Sequence, residues 1–378
     1  MSGRDPDEDH RASTPLELLF DLCFVVAVSQ AATSLGHDLV DGHVGHGLFG
    51  FAASFFAIWW AWMNFTWFAS AYDTDDVPYR LLTLLQIAGV LVLAAGVPDA
   101  FDGVFGMVVL GYVIMRVALV GQWLRAARGD PTHRRTALRY ALGVSVMQVL
   151  WVLWLFVPAG GRNTVYVLLV AGELAVPYWA ERAGLTPWHP SHIVERYGLF
   201  TIIVLGECIL GATVAIQQAA TTGFSAELIA VALGGLLLVL GVWWLYFREA
   251  FEGALRAEAA SAFPFGYAHY FVFAGIAALG SGLEVAAEGA THAIELSDMA
   301  VGLAVAIPVA VFVVALAVIE TLLRSELAAS PVRLVLLIGG LLALGFLAGT
   351  IGPAASIALM GVVVLVDVVS KVVTEPEG

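Results

Sequence analysis

The sequence predicts an all-α integral membrane protein of about twelve spanning helices, and three observations carry that prediction. Hydrophobic residues make up 60% of the 378 residues and charged residues only 13%, well below the charged share of soluble domains. Apolar windows of about 20 residues, long enough to cross a bilayer core as a helix, recur from Leu16 to Val373. Fifteen of the 17 basic residues fall on one side of the membrane when the spans are counted from the N-terminus. Water is therefore not the main solvent of this chain.

The expected spans follow one another along almost the whole chain. They cover 16–35, 45–70, 81–98, 103–124, 137–157, 163–180, 195–217, 226–247, 264–284, 299–322, 332–350 and 354–372. The opening stretch has no basic segment followed by a short apolar core and a small-residue cleavage site, so nothing there indicates a removable signal peptide. We expect residues 1–14 to form a polar cytoplasmic tail and the first helix to stay in the membrane.

The basic residues predict the orientation, because arginine and lysine in short loops resist translocation. With a cytoplasmic N-terminus and twelve spans, fifteen of the 17 basic residues fall on the inner side. They are Arg4, Arg11, Arg80, Arg125, Arg128, Arg134, Arg135, Arg139, Arg182, Arg196, Arg248, Arg256, Arg324, Arg333 and Lys371. Only Arg162 falls outside, and Arg116 lies within a helix. The bias predicts both termini in the cytoplasm and a multi-pass location in the inner or plasma membrane.

Charge and cysteine usage limit the partners of the chain. The net charge of −14 resides mainly in the N-terminal tail and the loops, which argues against nucleic acid and against a clamp on anionic lipids. Cys23 and Cys208 both fall inside spans and are expected to be apolar thiols rather than a disulfide. The lipid bilayer is the expected partner, no feature indicates a cofactor, and the sequence leaves the oligomeric state open.

An internal repeat is predicted from aromatic tracts on the second and eighth spans. The tract from Trp59 to Phe65 is echoed by the tract from Trp243 to Phe247, 184 residues later. We therefore expect two six-helix halves, 15–182 and 192–372. Because six is even, both halves would have the same orientation and be related by an axis along the membrane normal. An aromatic belt at the membrane surface is the alternative origin of the paired tryptophans.

Two acids open the first span, Glu17 and Asp21. They are four residues apart and share a helix face, and Asp21 lies about 9 Å beyond Pro15 along the helix axis. Ionisable groups inside spans cost roughly 2.5 to 3.5 kcal/mol at a helix centre on insertion scales, so each needs a reason. Acids at a helix start can simply complement the helix dipole. The alternative is a role in function, which the depth of Asp21 favours.

A second cluster precedes and enters the seventh span, with His192, Glu195, Arg196 and Glu207. Glu195 and Arg196 are expected to anchor the helix at the cytoplasmic boundary. Glu207 lies about 18 Å further along the helix, close to the bilayer midplane. Neighbouring Gly206 would let another backbone approach closely. Glu207 is then either a structural hydrogen-bonding group or a protonatable, ligand-binding one.

Two more charges lie deep in spans, Arg116 in the fourth and Glu173 in the sixth. Neither stays unpaired at low cost, so Arg116 is expected to pair with Glu173 or Glu207, in a structural or a functional role. Deep carboxylates are the usual material of proton relays. The sequence thus indicates a buried polar pathway made of Asp21, Arg116, Glu173 and Glu207.

The loop after the second span carries Asp73, Asp75, Asp76 and Arg80. Closely spaced carboxylates can hold Mg²⁺ together with a phosphate-bearing substrate. A second aspartate cluster, which would strengthen that interpretation, is missing from the sequence. Capping of the third helix and an aspartate–arginine latch between helices account for the residues better, so no metal site is predicted.

These motifs, in this order, resemble the bacterial low-temperature-requirement A (LtrA) family. The resemblance rests on Glu17-Leu18-Leu19-Phe20-Asp21-Leu22, on Trp67 followed by Asp73-Thr74-Asp75-Asp76 and Arg80, and on His192-Ile193-Val194-Glu195-Arg196 leading into Leu205-Gly206-Glu207. It covers essentially the whole chain. It implies a multi-pass membrane protein linked by name to growth in the cold, with no established biochemical activity.

The chain departs from the family pattern at Leu19, Cys23, Ser70 and Cys208, and the last puts in doubt a hydroxyl beside Glu207. The acidic residues are all present. The leading hypothesis is a proton- or ion-coupled transporter of a small solute. A membrane-embedded enzyme acting on lipid or isoprenoid phosphates at the Asp73 to Arg80 loop, and a non-catalytic membrane factor, are the alternatives.

Overall fold

In the computed structural model the described residues contain helices and no β-strand. These residues are 1–374 except 6, 7, 9, 10, 224, 249, 250, 252–254, 256–260, 292, 293 and 325–329. The helices are α1 (Pro15–Val40), α2 (Val44–Tyr72), α3 (Val77–Ala95), α4 (Val97–Phe101), α5 (Gly106–Gly129), α6 (Arg134–Trp154), α7 (Ala159–Glu181), α8 (Pro190–Thr222), α9 (Ala226–Phe247), α10 (Ala262–Gly289), α11 (Asp298–Arg324), α12 (Pro331–Ile351) and α13 (Pro353–Thr374). The all-helical prediction is confirmed for this part of the chain.

Ten helices of the described chain are long and apolar enough to cross a membrane. They are α1, α2, α3, α5, α6, α9, α10, α11, α12 and α13. This confirms a multi-pass membrane protein. The helices α7 and α8 have spanning length but are not among the ten, so the count of twelve spans stays a prediction, as do the orientation of the termini and the repeat.

Local sequence signals set several helix ends. Asp76 caps α3 by accepting a hydrogen bond from the Tyr79 backbone N–H at 2.8 Å, and Ser225 caps α9 by accepting one from the Leu228 N–H at 3.1 Å. Gly352, with a φ of +86°, separates α12 from α13, which begins at Pro353. These helix ends are therefore encoded locally.

The chain forms two compact units. Unit 1 comprises Met1–Gln30 and Phe56–Tyr197, and unit 2 comprises Ala31–Phe55 and Gly198–Gly378. In unit 1, α3 packs on α5, α5 on α6 and α6 on α7. In unit 2, α10 packs on α11, α11 on α12, α12 on α13, and α9 on α13. The predicted halves 15–182 and 192–372 stay a prediction.

Glycines allow the closest helix approaches. A Cβ added at Gly111 of α5 would lie 2.6 Å from the Gly89 carbonyl oxygen of α3. The expectation for Gly206 was wrong, because a Cβ there would meet nothing within 4 Å. The close approach beside Glu207 comes instead from Gly280 of α10, where a Cβ would lie 3.6 Å from the Cys208 Cα. The nearness of a glycine to an acid in the sequence does not show whether that glycine faces a neighbouring helix.

Candidate functional site

The first residues of α1 place Glu17 in a capping box. The Thr14 N–H donates to Glu17 Oε2 at 2.8 Å, and the Glu17 N–H donates to Thr14 Oγ1 at 3.3 Å. Glu17 is nevertheless fully buried, and its Oε1 lies 3.2 Å from His192 Nε2 of α8. The capping and functional interpretations of Glu17 are therefore compatible, since the carboxylate that caps α1 also contacts His192.

One turn further along α1, Asp21 is fully buried against α2 and α8. Its Oδ1 lies 2.5 Å from Arg196 Nη2 and accepts a hydrogen bond from Trp62 Nε1 at 2.7 Å. Arg196 is also fully buried and reaches Thr66 Oγ1 at 3.5 Å. The boundary anchor predicted for Arg196 is thus an internal partner of Asp21.

Arg11 completes this cluster from the N-terminal segment. Its side chain is only 4% exposed and its Nη2 donates to the Ala69 carbonyl at 2.7 Å, while Nη1 donates to the Ser70 carbonyl. The same Nη2 lies 3.6 Å from Glu17 Oε1 and 3.9 Å from Asp73 Oδ2. The segment expected to be a polar tail therefore carries one fully packed cation.

We call Arg11, Glu17, Asp21, Asp73, His192 and Arg196 the unit 1 charge cluster. Its three carboxylates face two guanidiniums, so the cluster carries one excess negative charge when His192 is neutral. Such a charge is costly in a buried site unless a proton or a cation neutralises it. The geometry therefore favours the uptake of one positive charge.

Several buried polar atoms in and beside the cluster have no hydrogen-bond partner in the structure. They are Glu17 Oε1, Asp21 Oδ2, Tyr79 OH, His192 Nδ1, Arg196 Nε and Arg196 Nη1. Glu17 Oε1 is within ion-pair distance of His192 without the alignment of a hydrogen bond. Buried polar groups in folded proteins are normally satisfied, so this concentration indicates a place where a proton, water or ligand binds.

The aspartates of the loop after α2 form ion pairs with arginines. Asp75 forms two hydrogen bonds with Arg80, at 2.7 and 2.6 Å, and Asp76 lies 2.6 Å from Arg125 of α5. These arginines hold the pKa values of Asp75 and Asp76 below their ordinary range, although for Asp76 burial opposes the shift. Burial and the neighbouring Glu17 instead raise the pKa of Asp73 to about 6. The capping and inter-helix latch interpretations are confirmed for Asp76, whereas the Asp75–Arg80 pair is local to the start of α3.

Arg116 pairs with Glu173, the first of the two partners considered. Their closest atoms are 3.2 Å apart, and both side chains are buried. Glu173 also accepts hydrogen bonds from Trp60 Nε1 at 2.8 Å and from Trp151 Nε1 at 3.1 Å. With three donors, this carboxylate is well satisfied as an anion. Trp60 and Trp62 lie on nearly opposite sides of α2, so this pair and the charge cluster occupy different faces.

Glu207 belongs to unit 2, and its side chain is partly exposed. It interacts electrostatically with Glu284 of α10, which also interacts with His37 and Glu288. The four predicted pathway residues therefore have three different sets of partners: Asp21 pairs with Arg196, Arg116 pairs with Glu173, and Glu207 interacts with another carboxylate. Glu195 accepts a hydrogen bond from the Ser13 N–H at 3.2 Å and so ties the N-terminal segment to α8.

The sequence interpretation missed Arg11, Trp60, Trp62 and Tyr79 as members of the polar sites. The tryptophans of the paired tracts were attributed to a repeat or an aromatic belt, yet Trp60 and Trp62 donate to buried carboxylates, as Trp151 does. A signal was available, because a buried indole N–H usually finds an acceptor and acids lie on neighbouring helices. Nothing in the sequence signals that Arg11 is buried.

Comparison with known proteins gives one family and one relative. The model of the family described as "Bacterial low temperature requirement A protein (LtrA)" matches residues 12–368. An uncharacterized protein of Rhizobium meliloti (strain 1021) is 28% identical over 289 residues, which cover 72% of this chain and 69% of the relative. The matched region includes every residue of the charge cluster except Arg11, which lies one position before it.

Proposed function

Because the chain belongs to the bacterial low temperature requirement A family, whose name describes a growth phenotype and no reaction, we propose a function from its geometry. We propose that the protein is a proton-coupled transporter of a small solute, and that the unit 1 charge cluster binds the proton. The observation that carries the proposal is the excess of one buried carboxylate over the guanidiniums around it.

The polar contacts of Glu17 and Asp21 support a proton-binding role. Glu17 and Asp21 each keep one oxygen without a hydrogen-bond partner, and His192 keeps Nδ1 without one. A proton arriving at one of the cluster carboxylates would neutralise the excess charge, and His192 Nε2 lies 3.2 Å from Glu17 Oε1. Groups whose protonation state changes the charge of a buried cluster are suited to proton relays.

The Arg116 and Glu173 pair suits a structural role instead. Its carboxylate has three donors, and removal of one member would leave a buried charge unpaired. Glu207 differs, because its interaction with Glu284 places two acids of unit 2 close enough to repel each other. We assign to this acidic group the attraction of the coupling proton.

We further propose twelve spans, two parallel six-helix repeats and cytoplasmic termini. The repeat receives support from packing order. In unit 1 α3, α5, α6 and α7 pack consecutively, and in unit 2 α10, α11, α12 and α13 do the same. These are the third to sixth long helices of each proposed half. Transporters with two parallel repeats place their sites near the repeat interface.

The enzyme alternative rests on the aspartate loop, and no specific observation favours it. Asp73, Asp75 and Asp76 each lie within ion-pair distance of an arginine of the chain itself. Among the residues that the structure describes, no three acidic, histidine or cysteine side chains are grouped to hold a metal ion. Ion pairs with arginines of the chain therefore explain the loop without any substrate.

The test is a proton-flux assay on purified protein in liposomes that contain a pH-sensitive dye, across a small panel of ions and solutes. Flux should occur with wild type and be lost in Glu17→Gln and in Asp21→Asn, because each variant removes the ionisable carboxyl. Asp75→Asn is the matched control, since it removes an exposed carboxylate near the same helix ends. Well-folded Glu17→Gln and Asp21→Asn proteins with wild-type flux would refute the proposal.

A further inference from the structure

The Arg11 guanidinium occupies a binding pocket made by other parts of unit 1. The pocket consists of the Ala69 and Ser70 carbonyls, near the end of α2, and of the Glu17 and Asp73 carboxylates. The last carbonyls of a helix lack partners within the helix and carry the negative end of its dipole. Every group that touches this guanidinium is therefore an acceptor or an anion.

We propose that this pocket is the binding site for a cationic solute with a guanidinium or primary ammonium group, and that Arg11 fills it as a tethered stand-in. The inference rests on the proposed transport function, for which it names the class of solute. A guanidinium is favoured over an ammonium because two of its nitrogens each reach a different carbonyl, which suits a planar fork.

Charge balance supports an exchange of one cation for another. If Arg11 leaves, Glu17 and Asp73 lose the cation that lies between them. Buried carboxylates cannot remain without a counter-charge at low cost, so a cationic solute or a proton takes its place. When a monovalent cationic solute takes it, the charge of the cluster stays the same through the exchange, and proton binding to the cluster remains a separate event.

The pocket also offers more polar contacts than Arg11 uses. Glu17 Oε1 lies 3.6 Å from Arg11 Nη2 without a hydrogen bond, and Tyr79 OH is buried without a hydrogen-bond partner while Tyr79 interacts electrostatically with Arg11 and Asp73. An arginine that only fastens the N-terminal segment would not require these spare groups. That segment has other attachments, since the Arg4 N–H donates to the Ala71 carbonyl and the Ser13 N–H donates to Glu195.

The first experiment measures thermal stability of purified full-length protein in detergent with millimolar guanidinium, methylguanidinium, tetramethylammonium or urea. Guanidinium and methylguanidinium should raise the Tm of Arg11→Ala by about 2 °C or more, because a ligand that binds only the folded state stabilises it. Tetramethylammonium and urea should not, since one lacks N–H donors and the other lacks charge. Wild type, whose pocket is filled, and the exposed-pair control Arg80→Ala should not respond.

The second experiment measures uptake of radiolabelled methylguanidinium into proteoliposomes with an imposed pH gradient. Wild type should show saturable uptake, and Arg11→Ala should reach half-saturation at an about tenfold lower concentration, because no tethered side chain competes for the pocket. Arg11→Lys, which keeps the charge but not the fork, should fall between them and serves if Arg11→Ala does not fold.

The two assays separate this inference from the proposed function. Stabilisation of Arg11→Ala without any uptake would mean that Arg11 is a structural anchor, and the inference would be overturned. Absence of uptake in wild type together with absence of stabilisation in Arg11→Ala would overturn it as well. Proton flux with no response to guanidinium would leave the transport proposal standing and remove this solute class, whereas guanidinium uptake without proton flux would keep this solute class and remove the proton coupling.

Discussion

At the level of single residues, the donors that reach a buried carboxylate define its role. Glu173 accepts from three nitrogens and suits a permanent anion. Asp21 has two donors on one oxygen and none on the other. Glu17 has a capping contact on Oε2 and only longer ion-pair contacts on Oε1.

Asp73, in the loop after α2, gives a prediction for pH dependence. Its pKa is raised to about 6, so the folded state binds a proton more tightly than the unfolded state does. The stability due to this proton is present below the ordinary aspartate pKa and is lost as pH rises through about 6. Asp73→Asn should remove this slope and, above pH 7, raise the unfolding free energy by about 2 kcal/mol.

The measurement is a series of unfolding curves in detergent across this pH window for wild type, Asp73→Asn and Asp75→Asn. Asp75 is the control because its pKa is lowered, which places its contribution in a more acidic range and with the opposite sign. An Asp73→Asn protein that keeps the wild-type slope would show that another group causes it.

At the level of helices, backbone contact through glycine holds the neighbours in unit 1 together. Gly111 of α5 and Gly89 of α3 face each other, and a Cβ on either one would lie within 2.8 Å of the other's carbonyl oxygen. Between helices in a membrane there is little hydrophobic driving force, so close van der Waals packing of this kind supplies much of the stability. The Asp76 to Arg125 latch joins the loop before α3 to α5 near their ends.

Gly111→Ala should therefore destabilise unit 1 by about 1 to 3 kcal/mol, since the added methyl group overpacks a backbone contact. Gly206→Ala is the matched control, because it adds the same methyl group to a helical glycine with open space around it. That control should be neutral or stabilising by up to about 1 kcal/mol through helix propensity. Denaturant or thermal unfolding of both proteins measures the difference, and equal values would contradict the packing argument.

At the level of the whole molecule, the distribution of basic residues predicts the topology. Gly160, two residues before Arg162, should lie outside the cell, and Arg128 should lie inside. In a cysteine-free background, Gly160→Cys should react with an impermeant maleimide on intact cells, and Arg128→Cys should react only after the membrane is opened. Labelling of both from the same side would show that the span count between them is wrong.

The sequence alone determined that this is a helical, multi-pass membrane protein of the LtrA family. Hydrophobicity over windows of about 20 residues is a local property, so spanning helices follow from it directly. Helix caps such as Asp76 are equally local. The motif residues Glu17, Asp21, His192 and Arg196 stand out in the sequence because ionisable side chains in or beside spans are rare.

Only the tertiary structure decided which charges meet. Asp21 pairs with Arg196, Arg116 pairs with Glu173, and Arg11 is buried between Glu17 and Asp73. Partners of a buried charge come from helices distant in sequence, and helical spacing says which face a residue occupies but not which helix lies opposite. For the same reason Gly206, expected at a close contact, faces open space, while Gly280 supplies the approach to Cys208.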